Sequence, residues 1–397
     1  MPLRRLLALA CAVAMVPSFA MAKDTIKIGF PIPLSGPTSV YGVPILKGAQ
    51  MAVAEINAKG GVLGQDLEIL PRDSKANADE AVRLARELII KDGAQFLIGT
   101  LTSAEAPAVS TISKENKIVF LAPAAKTTQL TSPQNIHPYV FRVASNTAIE
   151  GQSGAIIVSK WQIKKIATIA PDYAYGRDVI AAFAAHLKQL RPDIEIVDQQ
   201  WPKLGEPDLT PFITAQMSKQ PDAVYCALFA GDFLTLVKQG TPLGYFKAIS
   251  NRLADGGEVG AVDVTQPLGA DFPYGIWADA YDPVIWPGKE PAEHKAFIER
   301  LKAFMKSDVG SGWAAQGYSS ILALVAGIQK AGSTDSDKVA AAMAGLTYDT
   351  PLGKRTFDPK THDADAGEFW GVMVKDAAYP YAIIGSPTYY NPAPMTN

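Results

Sequence analysis

A short unit that occurs twice constrains this chain more than any other feature. It consists of a hydrophobic run, a turn of small residues closing on Tyr-Gly, and then an amphipathic stretch. The first copy is TIKIGFPIPLSGPTSVYG (Thr25 to Gly42) leading into PILKGAQMAVAEIN, and the second is KIATIAPDYAYG (Lys165 to Gly176) leading into RDVIAAFAAHLKQL. A strand that delivers an aromatic and a glycine to a helix start is how open α/β sheets build ligand crevices at strand carboxyl ends. Two copies about 135 residues apart predict two similar lobes facing one ligand.

The rest of the chain repeats the alternation. Strand Thr25–Ile32 is followed by a helix over Pro44–Ala58, which Lys59-Gly60-Gly61 stops. Strand Asp66–Leu70, helix Ala78–Lys91, strand Gln95–Gly99, helix Ala104–Glu115 and strand Ile118–Leu121 complete the first half. From Lys165 the pattern restarts with a strand, helix Gly176–Leu190, strand Ile194–Gln200, helix Leu209–Ser218, strand Ala223–Phe229 and helix Phe233–Gln239. Helical segments follow at Pro291–Lys306, Gly312–Ala331 and Asp335–Ala344. The last fifty residues change character: RTFDP, EFWGVMVKD and YAIIG read as short antiparallel strands. The fold class is therefore α/β, two Rossmann-like lobes with mostly parallel sheets covered on both faces. No low-complexity linker separates them, so the chain is expected to change lobe through three single strands, near Phe141–Ala144, Ala278–Tyr281 and Leu346–Gly353. That divides the chain into residues 23–142 plus 279–348 for lobe one and 143–278 plus 349–397 for lobe two.

Residues 1–22 stand apart. Arg4 and Arg5, an apolar run from Leu6 to Val16 and Ala20-Met21-Ala22 read as a cleavable export signal. No later stretch is apolar over the length needed to span a bilayer. Removing the signal leaves 35 Lys and Arg against 39 Asp and Glu, a net charge of −4 with no basic patch, which argues against a nucleic-acid partner. Cys11 leaves with the signal, and Cys226 remains in AVYCALF as a small apolar core residue. With no disulfide available, packed cores must supply the stability, which this length permits.

Catalytic signatures are absent: there is no G-x-S-x-G elbow, S-x-x-K, P-loop or G-x-G-x-x-G. The four histidines lack ligand spacing, and His362-Asp363-Ala364-Asp365 reads as a solvated hairpin loop rather than a metal site. No cofactor, metal or enzymatic chemistry is expected. The turns after strands say more. LSGPTSVYG carries Ser35, Thr38, Ser39 and Tyr41; GTLTSAEAP carries Thr100, Thr102 and Ser103; LAPAAKTT follows a third strand. Hydroxyls and amides at helix starts suit a carboxylate, although Ser and Thr also serve there as ordinary caps. Tyr173, Tyr175, Phe229 and Trp313 stand at strand ends or helix starts, where together they form an apolar sleeve for a small solute.

With these residues in view, the mature chain resembles, over nearly its whole length, the solute-binding proteins of branched-chain amino acid ABC importers. IKIGFPIPLSGPTSVYG, KGAQMAVAEINAKGGVLGQDLEI, FLIGTLTSAEAPAVS, APAAKTTQLT, FRVASN, YAYGRD and PFITAQMSKQPDAVY carry the likeness by their order and spacing. The resemblance implies a type I periplasmic binding fold, a monomer that holds a small-molecule solute between its lobes, a periplasmic location and an inner-membrane ABC permease as partner. Presentation of the closed form to a receptor is the alternative role. Residue by residue, it implies that Ser103 binds the ligand carboxylate with amides near Ala124, that Tyr41 is a lobe-one contact, and that Tyr175, with Tyr173 beside it, is the cleft tyrosine. Phe229 stands where amino acid binders often have tyrosine, and Trp313 where they have an aromatic wall.

Two departures bear on the solute. Lys126 replaces the threonine expected after Pro123-Ala124-Ala125, and SNRLADGGE places Asn251, Arg252, Asp255 or Glu258 where the resemblance implies a glutamate for the ligand ammonium. Asn251 or Arg252 would leave an ammonium unpaired and favour an aromatic or aliphatic acid without an amino group. Asp255 or Glu258 would keep an amino acid in play. The disulfide implied by the resemblance is absent, with Lys75 and Thr102 in place of its cysteines.

Overall fold

The structure is a computed structural model that describes residues 25–286 and 290–390; the export signal expected at 1–22 lies outside them. In the first half β1 (Thr25–Ile32), α1 (Ser39–Ala58), β2 (Asp66–Asp73), α2 (Ala78–Ile90), β3 (Phe96–Ile98), α3 (Glu105–Asn116), β4 (Phe120–Ala122) and β5 (Val140–Arg142) alternate. The strands form an all-parallel sheet in the order β2-β1-β3-β4-β5. β3, β4 and β5 are buried at every position, as a parallel strand covered on both faces must be.

The second half repeats this arrangement. Its elements are α4 (Thr147–Ser159), β6 (Lys165–Ile169), α5 (Ala174–Leu190), β7 (Glu195–Gln200), α6 (Thr210–Ser218), β8 (Ala223–Cys226), α7 (Ala230–Gly240), α8 (Tyr245–Ala248), β9 (Leu253–Asp255), α9 (Val262–Leu268) and β10 (Trp277–Ala280). Its sheet runs β7-β6-β8-β9-β10 in parallel, the same order as the first when counted from its own first strand. There follow α10 (Ala292–Met305), α11 (Gly312–Ala331), α12 (Ser336–Met343), the antiparallel hairpin β11 (Thr347–Thr350) and β12 (Gly353–Thr356), then β13 (Glu368–Val374) and β14 (Ile383–Tyr390). The last two extend the second sheet in antiparallel fashion beyond β10. No helix among the described residues is long and apolar enough to cross a membrane.

Each fifth strand carries the chain out of its lobe. α4, which follows β5, packs on α5 of the second half, and α11, beyond β10, packs on α1 of the first. This corrects two expected boundaries. β10 belongs wholly to the second sheet, so a division at 278 would cut a strand, and the chain leaves that lobe after Ala280. The division expected at 348 comes later. The β11–β12 hairpin turns the chain back onto α11, and Phe357 to Ala364 stays beside β5, with the Arg142 amide donating to the His362 carbonyl. The chain enters the second sheet only at Glu368.

The two Tyr-Gly pairs have a steric origin. A Cβ on Gly42 would stand 1.8 Å from the Pro33 carbonyl oxygen, and one on Gly176 2.2 Å from that of Pro171. Only glycine lets each helix begin against the loop that leaves its strand. Accordingly α1 starts at Ser39 and α5 at Ala174, placing both tyrosines inside first turns rather than ahead of them. Pro44 lies within α1, where its missing N–H forfeits a single helical bond.

Candidate functional site

A small cavity lies where the two sheets direct the carboxyl ends of their strands toward each other. From the first lobe it is lined by Tyr41 of α1, Leu101 and Ser103 after β3, Ala124 and Lys126 after β4, and Trp313 of α11. From the second come Tyr173 and Tyr175 after β6, Phe229 after β8, and Gly257 and Glu258 after β9. Its free volume of about 30 Å3 is room for about two water molecules, so the two lobes are drawn tightly together around it.

The walls are mainly aromatic. The Tyr41 and Trp313 rings stack with centroids 4.1 Å apart and 19° between planes. Phe229 lies 6.1 Å from Tyr41 with 24° between their planes, and 5.3 Å edge-on from Tyr175. Tyr173 adds a tilted ring 6.0 Å from Tyr175. Tyr41 also ties the lobes together. Its hydroxyl donates to the Gly257 carbonyl at 2.9 Å and accepts from the Ala230 amide at 3.1 Å, both on the opposite lobe.

The polar side of the cavity is built by the loop after β4. Arg142, fully buried at the end of β5, donates through Nη1 to the carbonyls of Lys126 and Thr127 at 3.0 and 2.6 Å, while Nε and Nη2 grip Asp363. Asp363 is thereby spent on a structural pair. The Thr127 amide donates to Ser103 Oγ at 3.1 Å, leaving the Ser103 proton for another acceptor. The Trp313 indole N–H is buried without a protein acceptor. These two donors are free to serve an anionic oxygen of a solute.

At the far corner Lys126 enters a cluster of carboxylates. Nζ stands 2.8 Å from Glu150 Oε2, 2.6 Å from Glu258 Oε1 and 2.7 Å from Glu368 Oε1, with all four side chains buried. The lysine belongs to the first lobe's loop; the carboxylates come from α4, the loop after β9 and β13 of the second. Ser145 Oγ also donates to Glu368 at 2.5 Å, and the Tyr175 hydroxyl donates to Glu150. Burial alone would lower the Lys126 pKa, but Glu150, Glu258 and Glu368 together hold it above its ordinary value. Burial lifts Glu150 to about 8 and raises Glu258 and Asp279 as well. One ammonium cannot neutralise three carboxylates in so dry a space, so the cluster keeps protons near neutral pH.

Eight of the eleven residues expected at the site line this cavity: Tyr41, Ser103, Ala124, Lys126, Tyr173, Tyr175, Phe229 and Trp313. Three do not. Thr102 points into its own helix start, its amide and Oγ1 both donating to Glu105 Oε2 at 2.9 and 2.7 Å. Asp255 lies behind the wall, where Oδ1 accepts from the Gly257 amide at 2.7 Å and shapes the loop that carries Glu258. Arg252 is exposed at the opposite end of β9, in a surface depression with Asp222 and Ser250. Of the four positions open for an ammonium partner, the one at the cavity is Glu258. Leu101, Gly257, Glu150 and Glu368 were missed. Glu150 and Glu368 carry no local signal, since the Lys126–Glu368 pair spans 242 residues.

Residues 25–378 match the family model described as periplasmic binding protein. The chain is 28% identical over 354 residues to the leucine-, isoleucine-, valine-, threonine- and alanine-binding protein of Pseudomonas aeruginosa, covering 88% of this chain and 90% of that one. It is 30% identical over 352 residues to a Leu/Ile/Val-binding protein of Rhizobium johnstonii, covering 88% and 91%. Among solved structures, a solute-binding protein of an ABC transporter from Rhodopseudomonas palustris, in complex with 3,4-dihydroxybenzoic acid, superposes with a TM-score of 0.82. It is 25% identical, and the match covers 92% of this chain and 98% of that one.

Proposed function

The chain belongs to the periplasmic binding protein family, and we propose that it is the solute-binding component of an ABC importer, taking a small carboxylate with a flat apolar body. The observation that carries this reading is that the stacked rings of Tyr41, Trp313 and Phe229 line one cavity together with Ser103. The aromatic rings hold the body, and Ser103 with the amide side of the Ala124 loop takes the carboxylate. The relatives support a binding role, two of them named for branched-chain amino acids and one structural neighbour holding an aromatic acid.

Capture begins on the first lobe, which holds Ser103, Ala124 and Trp313. Closure brings Tyr173, Tyr175 and Phe229 over the body of the solute and forms the Tyr41 bonds to Gly257 and Ala230. A ligand that contacts both lobes favours the closed state by its differential affinity for it. The closed form is then the one a permease in the inner membrane recognises. The export signal at 1–22 delivers the chain to the periplasm, where it works as a monomer.

A thermal-shift screen of the mature chain tests the reading. Benzoate, 3-phenylpropanoate, 4-methylpentanoate and leucine are the probes, since a ligand specific for the folded state raises the unfolding midpoint. A concentration-dependent rise with at least one of them is the expected result. No shift with any at millimolar concentration overturns the assignment.

A further inference from the structure

Formal charge enters the cavity at one corner, and both signs meet there. Lys126 and Glu258 each line the wall, with Nζ and Oε1 2.6 Å apart. Glu150 and Glu368 complete the set at 2.8 and 2.7 Å, so three carboxylate oxygens lie within ion-pair distance of one ammonium, which donates a hydrogen bond to Glu368. These side chains are at most 5% exposed, so water does not substitute for any of them.

A cleft that receives an α-amino acid must meet its ammonium with an anionic oxygen, because an unpaired charge in a closed, dry space is costly. The carboxylate available on this wall is Glu258. Its Oε1 is already held by a cation of the protein's own, and its Oε2 lies 3.4 Å from the Tyr281 amide. A ligand ammonium brought to Glu258 would also stand close to Lys126 Nζ, and the two like charges would repel. The surplus carboxylates do not call for a second cation. Burial raises the pKa of both Glu150 and Glu258, so protons offset the excess.

We propose that Lys126 occupies, from the protein side, the place a ligand ammonium would take, and so tunes the cleft to carboxylates that lack an amino group. The inference rests on the functional reading above, that a small carboxylate is the solute. It makes Lys126 the residue that separates the two solute classes named among the relatives.

Isothermal titration with matched pairs isolates the ammonium: 4-methylpentanoate against leucine, and 3-phenylpropanoate against phenylalanine. In the wild type the member without the amino group binds about tenfold tighter or more, the size of a charged group left unpaired. Lys126→Met keeps the stem and frees Glu258, and it moves the ratio toward the amino acid by about tenfold or more. Glu258→Gln removes an ion pair between the lobes and so weakens both members of a pair alike. Their ratio stays within about threefold of the wild type, since neither member gains or loses a partner of its own. Circular dichroism establishes that each variant is folded; should Lys126→Met not fold, the wild-type ratio and Glu258→Gln decide. Tighter wild-type binding of the amino acids, an unchanged ratio in folded Lys126→Met, or a ratio in Glu258→Gln moved by about tenfold toward the acid each overturns the inference alone. Binding of neither member of either pair overturns the functional reading and this inference with it.

Discussion

Replacing Tyr41 with Phe separates the two jobs of this side chain. The ring and its stack on Trp313 at 4.1 Å remain, while the hydroxyl that reaches the other lobe is removed. Two bonds are lost, the donation to Gly257 at 2.9 Å and the acceptance from Ala230 at 3.1 Å. Each bond contributes about 0.5–1.5 kcal/mol net, for a total of about 1–3 kcal/mol. Because both bonds cross between lobes, opening exchanges them for water, and the loss falls on the closed state alone. A ligand that needs the closed state then loses affinity in proportion, roughly 5- to 150-fold. Titration calorimetry with the acid selected by the thermal screen reads this directly, and stopped-flow fluorescence should place most of the change in the dissociation rate. The ligand-free unfolding midpoint should move little, since the aromatic packing is kept. An affinity within twofold of wild type would refute the argument that this hydroxyl holds the lobes together.

Other outcomes are equally specific. Ser103→Ala should weaken the preferred acid by ~1–3 kcal/mol if its free proton binds the carboxylate, as calorimetry would show. Phe229→Ala, which strips an apolar wall, should cost ~1.5–3 kcal/mol for an aromatic acid and be measurable in the same assay. Arg252→Ala should change neither affinity nor folding, because its guanidinium lies at the far end of β9; a loss of binding would place the site wrongly. The pH dependence has a defined sign. Burial pushes the Asp255 carboxyl from its ordinary 3.8 up to about 8, so the folded chain keeps a proton that the unfolded chain has released. Stability from this group is complete below about pH 4 and is lost as pH rises through about 8. Midpoints measured from pH 5 to 9 should therefore fall less steeply in Asp255→Asn than in the wild type, and equal slopes would count against the assignment.

The sequence alone determined the lobes and the strand ends that form the cleft. Both are local properties: apolar runs of strand length, amphipathic stretches of helical period, and a glycine where each helix must touch the loop before it. For that reason Tyr41, Ser103, Tyr173, Tyr175, Phe229 and Trp313 could be named from their turns, and all of them line one cavity. The helix starts at Ser39 and Ala174 were misjudged because neither first turn carries a side-chain cap and the pattern of apolar residues does not report it. Tertiary structure decided the rest. Which end of β9 faces the cleft separates Glu258 from Arg252, six residues apart in the chain but on opposite sides of the lobe. Lys126 reads in sequence as a lone departure from a hydroxyl-rich loop. Its meaning comes from Glu150, Glu258 and Glu368, residues that the crossing strands bring from distant parts of the chain to within 2.8 Å. A charge is defined by the groups that surround it in a dry space, and no local pattern encodes those groups.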